Sequence, residues 1–201
     1  MQSYAELCEI TRIFQGIEDP GENGITPHNF AQRSIIQQMI KVLHVCHGNI
    51  CRSPMAEFIM KDMVEKMGVK DDFYIASAAT STEEIWGGQG NPVYPPAKNE
   101  LLMHGIGRTP YTDFSKKRAV QVSKADYDKY DYLLCAEERN IRNTMRITGG
   151  DPDNKIMRLL DFSDNPRNIA DPWYTGVFDI TYSDIEEGLK AFLKHLGYEV
   201  R

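Results

Sequence analysis

From Ile40 onward the apolar residues of this chain fall into two alternating patterns. IKVLHVC (40–46), FYIASA (73–78), YDYLLCA (130–136) and KIMRLLDF (155–162) are short β-rich runs of the kind buried on both faces of a parallel sheet. Between them the apolar spacing turns helical. Ser53-Pro54 supplies an N-cap and a first-turn proline, and Ala56, Ile59, Met63 and Met67 mark one helical face that stops at Gly68. Residues 94–104, closed by Gly105, and Glu137 to about Ile147 read as two more helices. The last helix is expected to open at a capping box, Ser183-Asp184-Ile185-Glu186, to carry Leu189, Phe192, Leu193 and Leu196 on one face, and to end at Gly197. Alternating strands and helices predict a small doubly wound α/β domain over residues 40–201, a four-stranded parallel sheet with helices on both faces.

The first 39 residues differ from the rest. Leu7, Ile10, Phe14 and Ile17 fall at helical spacing, so residues 3–17 are expected to form an amphipathic helix. EDPGENGITP (18–27) is a turn-rich break, and Thr26-Pro27 caps a second short helix through about Met39. The expectation is an N-terminal helical extension, residues 1–39, whose role the sequence does not assign.

Composition narrows the classes of function. The 201 residues are 41% hydrophobic and 26% charged, which suits an ordinary folded domain and excludes wholesale disorder. No run approaches the ~18 apolar residues that span a bilayer, and the start lacks an apolar signal stretch. A net charge of −6 makes a poor general nucleic-acid binder. Cys8, Cys46, Cys51 and Cys135 are too few for a disulfide framework and lack paired zinc-site spacing. The reading is a cytoplasmic protein with no nucleic-acid partner and no membrane insertion. Any anion it handles must meet a local concentration of donors.

Residues 46–53, Cys-His-Gly-Asn-Ile-Cys-Arg-Ser, supply one, between a buried strand and the start of a helix. In a parallel sheet the ligand crevice lies at the carboxyl ends of the strands, so this turn is where a ligand belongs. The backbone N–H groups of the tight loop and of the helix N-terminus converge on one point where the helix dipole favours negative charge. Arg52 adds a bidentate fork for two phosphate oxygens. The same field stabilises a thiolate at Cys46, and a thiolate inside a phosphoryl-shaped cradle is equipment for covalent phosphoryl transfer. Gly48 lets the backbone approach closely, and Asn49 tolerates the left-handed conformation a tight cradle requires. No GxxxxGK[ST] occurs, which excludes a Walker-type nucleotide site.

CHGNICRSP resembles the Cys-x5-Arg-Ser loop of the low-molecular-weight protein tyrosine phosphatases, with SAATS (77–81), YDYLLCAEERNIR (130–142) and DPWY (171–174) following in that family's order. The resemblance implies a phosphotyrosine-containing protein as substrate and no metal or organic cofactor. It implies Cys46 as nucleophile, Arg52 as phosphoryl ligand, Asp171 as general acid and then base, and Ser53 as hydrogen-bond donor to the departing sulfur, beside any capping role. His47, Gly48, Asn49, Ile50 and Cys51 would line the phosphate loop, with Asn49 as its prop. Trp86, Trp173 and Tyr174 would wall the slot for the substrate ring, unless Trp86 folds back on the core. Cys51 either packs as filler or forms a reversible disulfide with Cys46.

The chain departs from the family pattern in three places. His47 replaces an apolar residue beside the nucleophile, and either tunes it or points to solvent. Ser77-Ala78-Ala79 stands for Ser-Ala-Gly, with Ser77 still matching the family's loop-supporting serine. Lys117-Arg118-Ala119-Val120-Gln121 loses a histidine and an arginine, so this segment is expected to support the loop less well. Three other readings use the same equipment. An arsenate reductase needs two relay cysteines, and Arg142 stands where the second would be; a protein-arginine phosphatase carries threonine where Ile50 is; a non-catalytic phosphotyrosine-binding module would lack Cys46 or Asp171.

Overall fold

The computed structural model describes residues 39–200, and they belong to one compact unit, Gln38–Arg201. The helices expected over 3–17 and up to Met39 lie outside the described residues. Strands β1 (Ile40–Cys46), β2 (Phe73–Ala79), β5 (Tyr132–Cys135) and β6 (Ile156–Arg158) form a wholly parallel sheet in the order β2-β1-β5-β6. The first crossover goes to one side of β1 and the next strand returns to its other side. That reversal opens a crevice beyond the carboxyl end of β1, at Cys46.

Burial on both faces explains the largely apolar character of β1. Val42 and Cys46, with Leu134, pack among Met55 and Ile59 of α1 (Arg52–Lys66) and Ile185, Leu189 and Phe192 of α6 (Phe178–His195). On the opposite face Leu43, Val45, Leu133 and Cys135 meet Ile141 and Met145 of α4 (Glu138–Thr148). Helix α2 (Pro95–Met103) occurs as expected, one residue shorter at each end because Tyr94 and His104 are its caps.

Several elements differ from the pattern-based reading. The fourth strand is short: after Ile156–Arg158 the chain makes a 3₁₀ turn, Leu159–Phe162, because the Asp161 carboxylate accepts from Arg158 N at 3.0 Å and Arg158 Nε at 2.9 Å and bends the backbone. The third strand starts two residues later than Tyr130 and ends at Cys135. Helix α6 starts at Phe178, capped by no side chain, so the sequence at 183–186 lies within the helix and is not its beginning. A capping box does occur before α3 (Lys124–Lys129), where Ser123 and Asp126 bond each other's backbone.

The glycine-rich loop after β2 is a two-residue hairpin, β3 (Ile85–Trp86) with β4 (Gln89–Gly90). Its turn, Gly87-Gly88, has φ 56° and 80°, the left-handed pair that matches strand twist. Gly90 is required for a different reason: a Cβ there would lie 1.8 Å from the carbonyl oxygen of Ala119.

His44 occupies the middle of β1, beside Ser77 on β2, with 1% exposure and both ring nitrogens unpartnered. Burial, reinforced by the positive charges of Lys61 and Lys117 and opposed by Glu57, lowers it to about 3 from an ordinary 6.5. The unfolded chain therefore binds a proton between those values that the folded chain refuses, and stability must fall as pH drops through that interval, with a slope up to about 1.4 kcal/mol per pH unit. His44→Phe removes the term. Denaturant midpoints between pH 7 and pH 4 should decline less steeply in the variant than in the parent, with parity or a gain for the variant at pH 7; parallel declines would refute the assignment.

Candidate active site

The cradle is built by the turn from β1 into α1. Asn49 takes φ 57°, the left-handed conformation that folds the loop back, and its backbone N–H donates to Cys46 Sγ at 3.2 Å. Cys51 is the N-cap of α1 and makes no side-chain cap bond, which leaves the first amides of the helix without a capping side chain. Ser53 lies inside the first turn and does not cap it, contrary to the pattern-based reading. Its hydroxyl sits 3.0 Å from Cys46 Sγ, accepts from Asn49 Nδ2 at 2.8 Å, and has Ala78 O at 3.3 Å as its other acceptor.

Beneath the loop lies a buried polar chain. Asn49 Nδ2 also donates to Ser77 Oγ at 2.8 Å, and Asn49 Oδ1 accepts from Val120 N at 3.2 Å. Ser77 Oγ donates to Glu57 Oε2 at 2.6 Å, and Glu57 is clamped by Lys61 at 2.6 Å and Lys117 at 2.9 Å. Burial alone would raise the Glu57 carboxyl; Lys117 and Lys61 outweigh it and hold the group below its ordinary value. The 117–121 segment thus supports the loop, through the Lys117 ammonium and through main-chain bonds of Val120 that are indifferent to its side chain.

Across the crevice stands the loop carrying Asp171. Ala170 N donates to Asp184 at 2.9 Å, Thr181 Oγ1 donates to Ala170 O at 2.9 Å, and Arg167 bridges Asp184 and Glu187 at 2.6 and 2.7 Å, so α6 holds this loop directly. Asp171 begins the short helix α5 (Pro172–Thr175) and accepts from Trp173 N at 3.1 Å. Its other oxygen pairs with Arg52 Nη2 at 2.6 Å. Arg52 is 3% exposed; its Nη1 has Glu137 at 3.5 Å but no hydrogen bond, an orphaned donor at the floor of the cleft.

The family model for low molecular weight phosphotyrosine protein phosphatases matches residues 41–201. The chain belongs to that family. It is 34% identical over 163 residues to the low molecular weight protein-tyrosine-phosphatase YfkJ of Bacillus subtilis, covering 80% of this chain and 98% of that one. With the low molecular weight phosphotyrosine protein phosphatase of Mus musculus it shares 36% over 158 residues, 76% of this chain and 93% of the other. The crystal structure of YfkJ superposes with a TM-score of 0.70 at 33% identity, over 80% of this chain and 96% of that one.

The cleft of this family member has a volume of about 490 Å³. Cys46, His47, Gly48, Ile50, Cys51, Arg52, Asp171, Trp173 and Tyr174 line it, while Asn49 and Ser53 are hydrogen-bonded to the Cys46 sulfur. Trp86 is not brought to the cleft wall: it projects from β3, 72% exposed. Tyr94, at a ring-centroid distance of 5.5 Å, supports Trp173. Glu83, Glu84, Glu137 and Arg139 also line the cleft and were missed by sequence reasoning, although each pair follows the carboxyl end of a strand, the position that could have identified them. His47 is turned to Glu83, Nε2 to Oε2 2.8 Å, and Glu84 covers Gly48, where a Cβ would come within 3.0 Å of its Cγ. Burial, with the proximity of Cys46 second, pushes the Cys51 thiol up to about 12 and keeps it protonated.

The Glu57 clamp is directly testable. Lys117→Met leaves the buried carboxylate with Lys61 as its one neighbouring cation beside the Ser77 hydroxyl and should cost about 1–3 kcal/mol at pH 7, read as a lower denaturant midpoint at unchanged m-value. Lys116→Met, at an exposed neighbour, is the control and should move the midpoint by less than about 0.5 kcal/mol.

Proposed function

We propose that this protein hydrolyses phosphotyrosine in protein substrates through a phosphocysteine intermediate. The observation that carries the reading is the buried Arg52 donor without a hydrogen-bond partner, in the same cleft as a cysteine sulfur that already has two hydrogen-bonding neighbours. A phosphoryl dianion satisfies that guanidinium and the loop amides together.

In the first step Cys46 Sγ attacks phosphorus in line, the S–P bond forms, and the P–O bond to the aryl group breaks. Arg52 and the loop amides hold the equatorial oxygens where charge develops. Entry of the phosphoryl group gives Arg52 an alternative to its 2.6 Å pair with Asp171; the released carboxylate takes up a proton that enters with the phosphate monoester as its monoanion and passes it to the leaving phenolate. In the second step water attacks phosphorus, Asp171 takes its proton, the S–P bond breaks and inorganic phosphate leaves. The hydrogen of Ser53 Oγ has two acceptors, Ala78 O and Cys46 Sγ; as the sulfur becomes anionic the charge-assisted bond to it is the stronger, which eases departure of the thiolate. Ile50 and Trp173 give the ring apolar walls, and Ile50 offers a guanidinium no hydrogen bond, which favours phosphotyrosine over phosphoarginine. Cys135, fully buried in β5 with its thiol pushed up to about 12 chiefly by burial, is unsuited to a redox relay. Thiolate chemistry assigns the protein to a reducing compartment, the cytoplasm; none of its described helices is long and apolar enough to cross a membrane.

Hydrolysis of para-nitrophenyl phosphate and phenyl phosphate in EDTA tests the reading. The parent should turn over both, Cys46→Ser neither, and Asp171→Asn should lose about 10²-fold or more on phenyl phosphate and less on the nitrophenyl ester, whose leaving group needs the proton less. No turnover by reduced, folded parent protein would refute it. Residues 1–39 are assigned no part in the chemistry, so a chain lacking residues 1–38 should keep kcat within about twofold; a large loss in a truncate with a native unfolding transition would assign them one.

A further inference from the structure

The protein carries a net charge of −6, yet one helix beside the cleft is basic on its exposed face. Arg139, Arg142 and Arg146 of α4 are all exposed, at spacings of three and four residues that align them on one side of a helix. Arg139 lines the cleft itself, so the ridge begins at the mouth of the site. At about 1.5 Å rise per residue, Arg142 lies roughly 4–5 Å and Arg146 roughly 10 Å further along the axis. These guanidinium groups are only weakly committed. Arg142 has a solvent-exposed partner, Glu138, at 3.3 Å, and Arg146 a 3.4 Å bond to Asn143. Among the described residues, Arg139 and Arg146 have no carboxylate within ion-pair distance.

The opposite rim has the other sign. Glu83 and Glu84 line the β2–β3 side of the cleft, and each is already engaged, Glu83 by His47 at 2.8 Å and Glu84 by Asn91 at 2.7 Å. On the α4 side Glu137, the N-cap of that helix, also lines the cleft but is turned to Arg52 at 3.5 Å, so the uncommitted charge at the mouth is that of the arginines.

We propose that the Arg139–Arg142–Arg146 ridge docks acidic residues on one flank of the phosphotyrosine, making this a phosphatase for acid-flanked phosphotyrosine segments. The inference rests on the phosphatase reading of the cleft. An extended peptide advances about 3.3 Å per residue, so side chains roughly two to four positions from the phosphotyrosine fall along the ridge. Exposed pairs of this kind contribute modestly to affinity and strongly to encounter, and both contributions are screened by salt.

The experiment uses the full chain and three phosphotyrosine peptides of one length. One has Asp and Glu at positions two to four on the N-terminal side, one has them on the C-terminal side, and one has Gln throughout. At low salt one acidic peptide should exceed the Gln peptide by roughly three- to tenfold in kcat/KM. That advantage should shrink to near unity in about 0.5 M salt and in Arg142→Gln/Arg146→Gln, while both proteins hydrolyse para-nitrophenyl phosphate equally. Equal rates on all three peptides, or a preference that survives the double substitution, overturns the proposal. Affinities of the same peptides for Cys46→Ser and for Cys46→Ser carrying the double substitution separate the two readings. If aryl phosphate is not hydrolysed, the phosphatase reading fails, and the ridge stands or falls on whether the double substitution abolishes the affinity difference.

Discussion

A loop that is to hold a dianion cannot hold itself together with its own backbone, because the amides that would do so must point at the ligand. Asn49 resolves the conflict. Its main chain takes the left-handed turn and contributes an N–H to the sulfur, while its side-chain amide ties the loop to Ser53, Ser77 and the Val120 main chain. The placement of Arg52 and of the first turn of α1 presupposes that tie, since both follow the turn that Asn49 fixes. In a dry interior such bonds are strong when satisfied and costly when broken, so the network beneath the loop acts as one rigid unit.

The electrostatics of that unit are layered. Deepest lies Glu57, ionised because Lys61 and Lys117 flank it, its negative charge reaching the loop only through the hydroxyl of Ser77 and the amide of Asn49. Above it lies the sulfur, among neutral donors. At the top is Arg52, the cation of the cleft floor, with Asp171 and Glu137 beside it. Opposite charges thus alternate from core to cleft, and neutral hydrogen-bonding groups separate Glu57 from the position a phosphoryl group would take. His44, beside this column and without partners, carries no charge in it.

What was legible in the sequence was what is contiguous. The 46–53 loop declares itself because strand, turn and helix start follow one another, and the sheet was readable because its strands are buried on both faces. Of the supports, Asn49 and Ser77 were expected from the family resemblance, whereas Glu57 and the Lys117 ammonium were not legible, since they lie in separate segments and meet Ser77 only in the folded chain, where β2 pairs with β1. The 117–121 stretch lacks two of the family's side chains, yet much of its contribution is made by the Val120 main chain, which side-chain identity does not reveal. Ser183-Asp184-Ile185-Glu186 misled for the opposite reason: it has the composition of a helix cap, but Asp184 faces the Asp171 loop from within α6, and tertiary bonds decided the helix start. The hairpin at Ile85–Gly90 was hidden by its glycines, one pair needed for the turn and Gly90 for close backbone approach.

The dependence of the Asp171 loop on α6 also sets an order of events during synthesis. The cradle emerges early, as β1 and α1 leave the ribosome, and the elements that prop it follow through Gln121. The carboxylate that faces Arg52 comes later, and the groups that tether its loop, Thr181 and Asp184, belong to the last helix of the chain. Domains assemble as units while the chain grows from its N-terminus. A nascent chain can therefore possess the anion cradle before it possesses a fixed carboxylate opposite it. The complete constellation exists only once α6 has docked, which couples the onset of chemistry to the folding of that helix onto the rest of the domain.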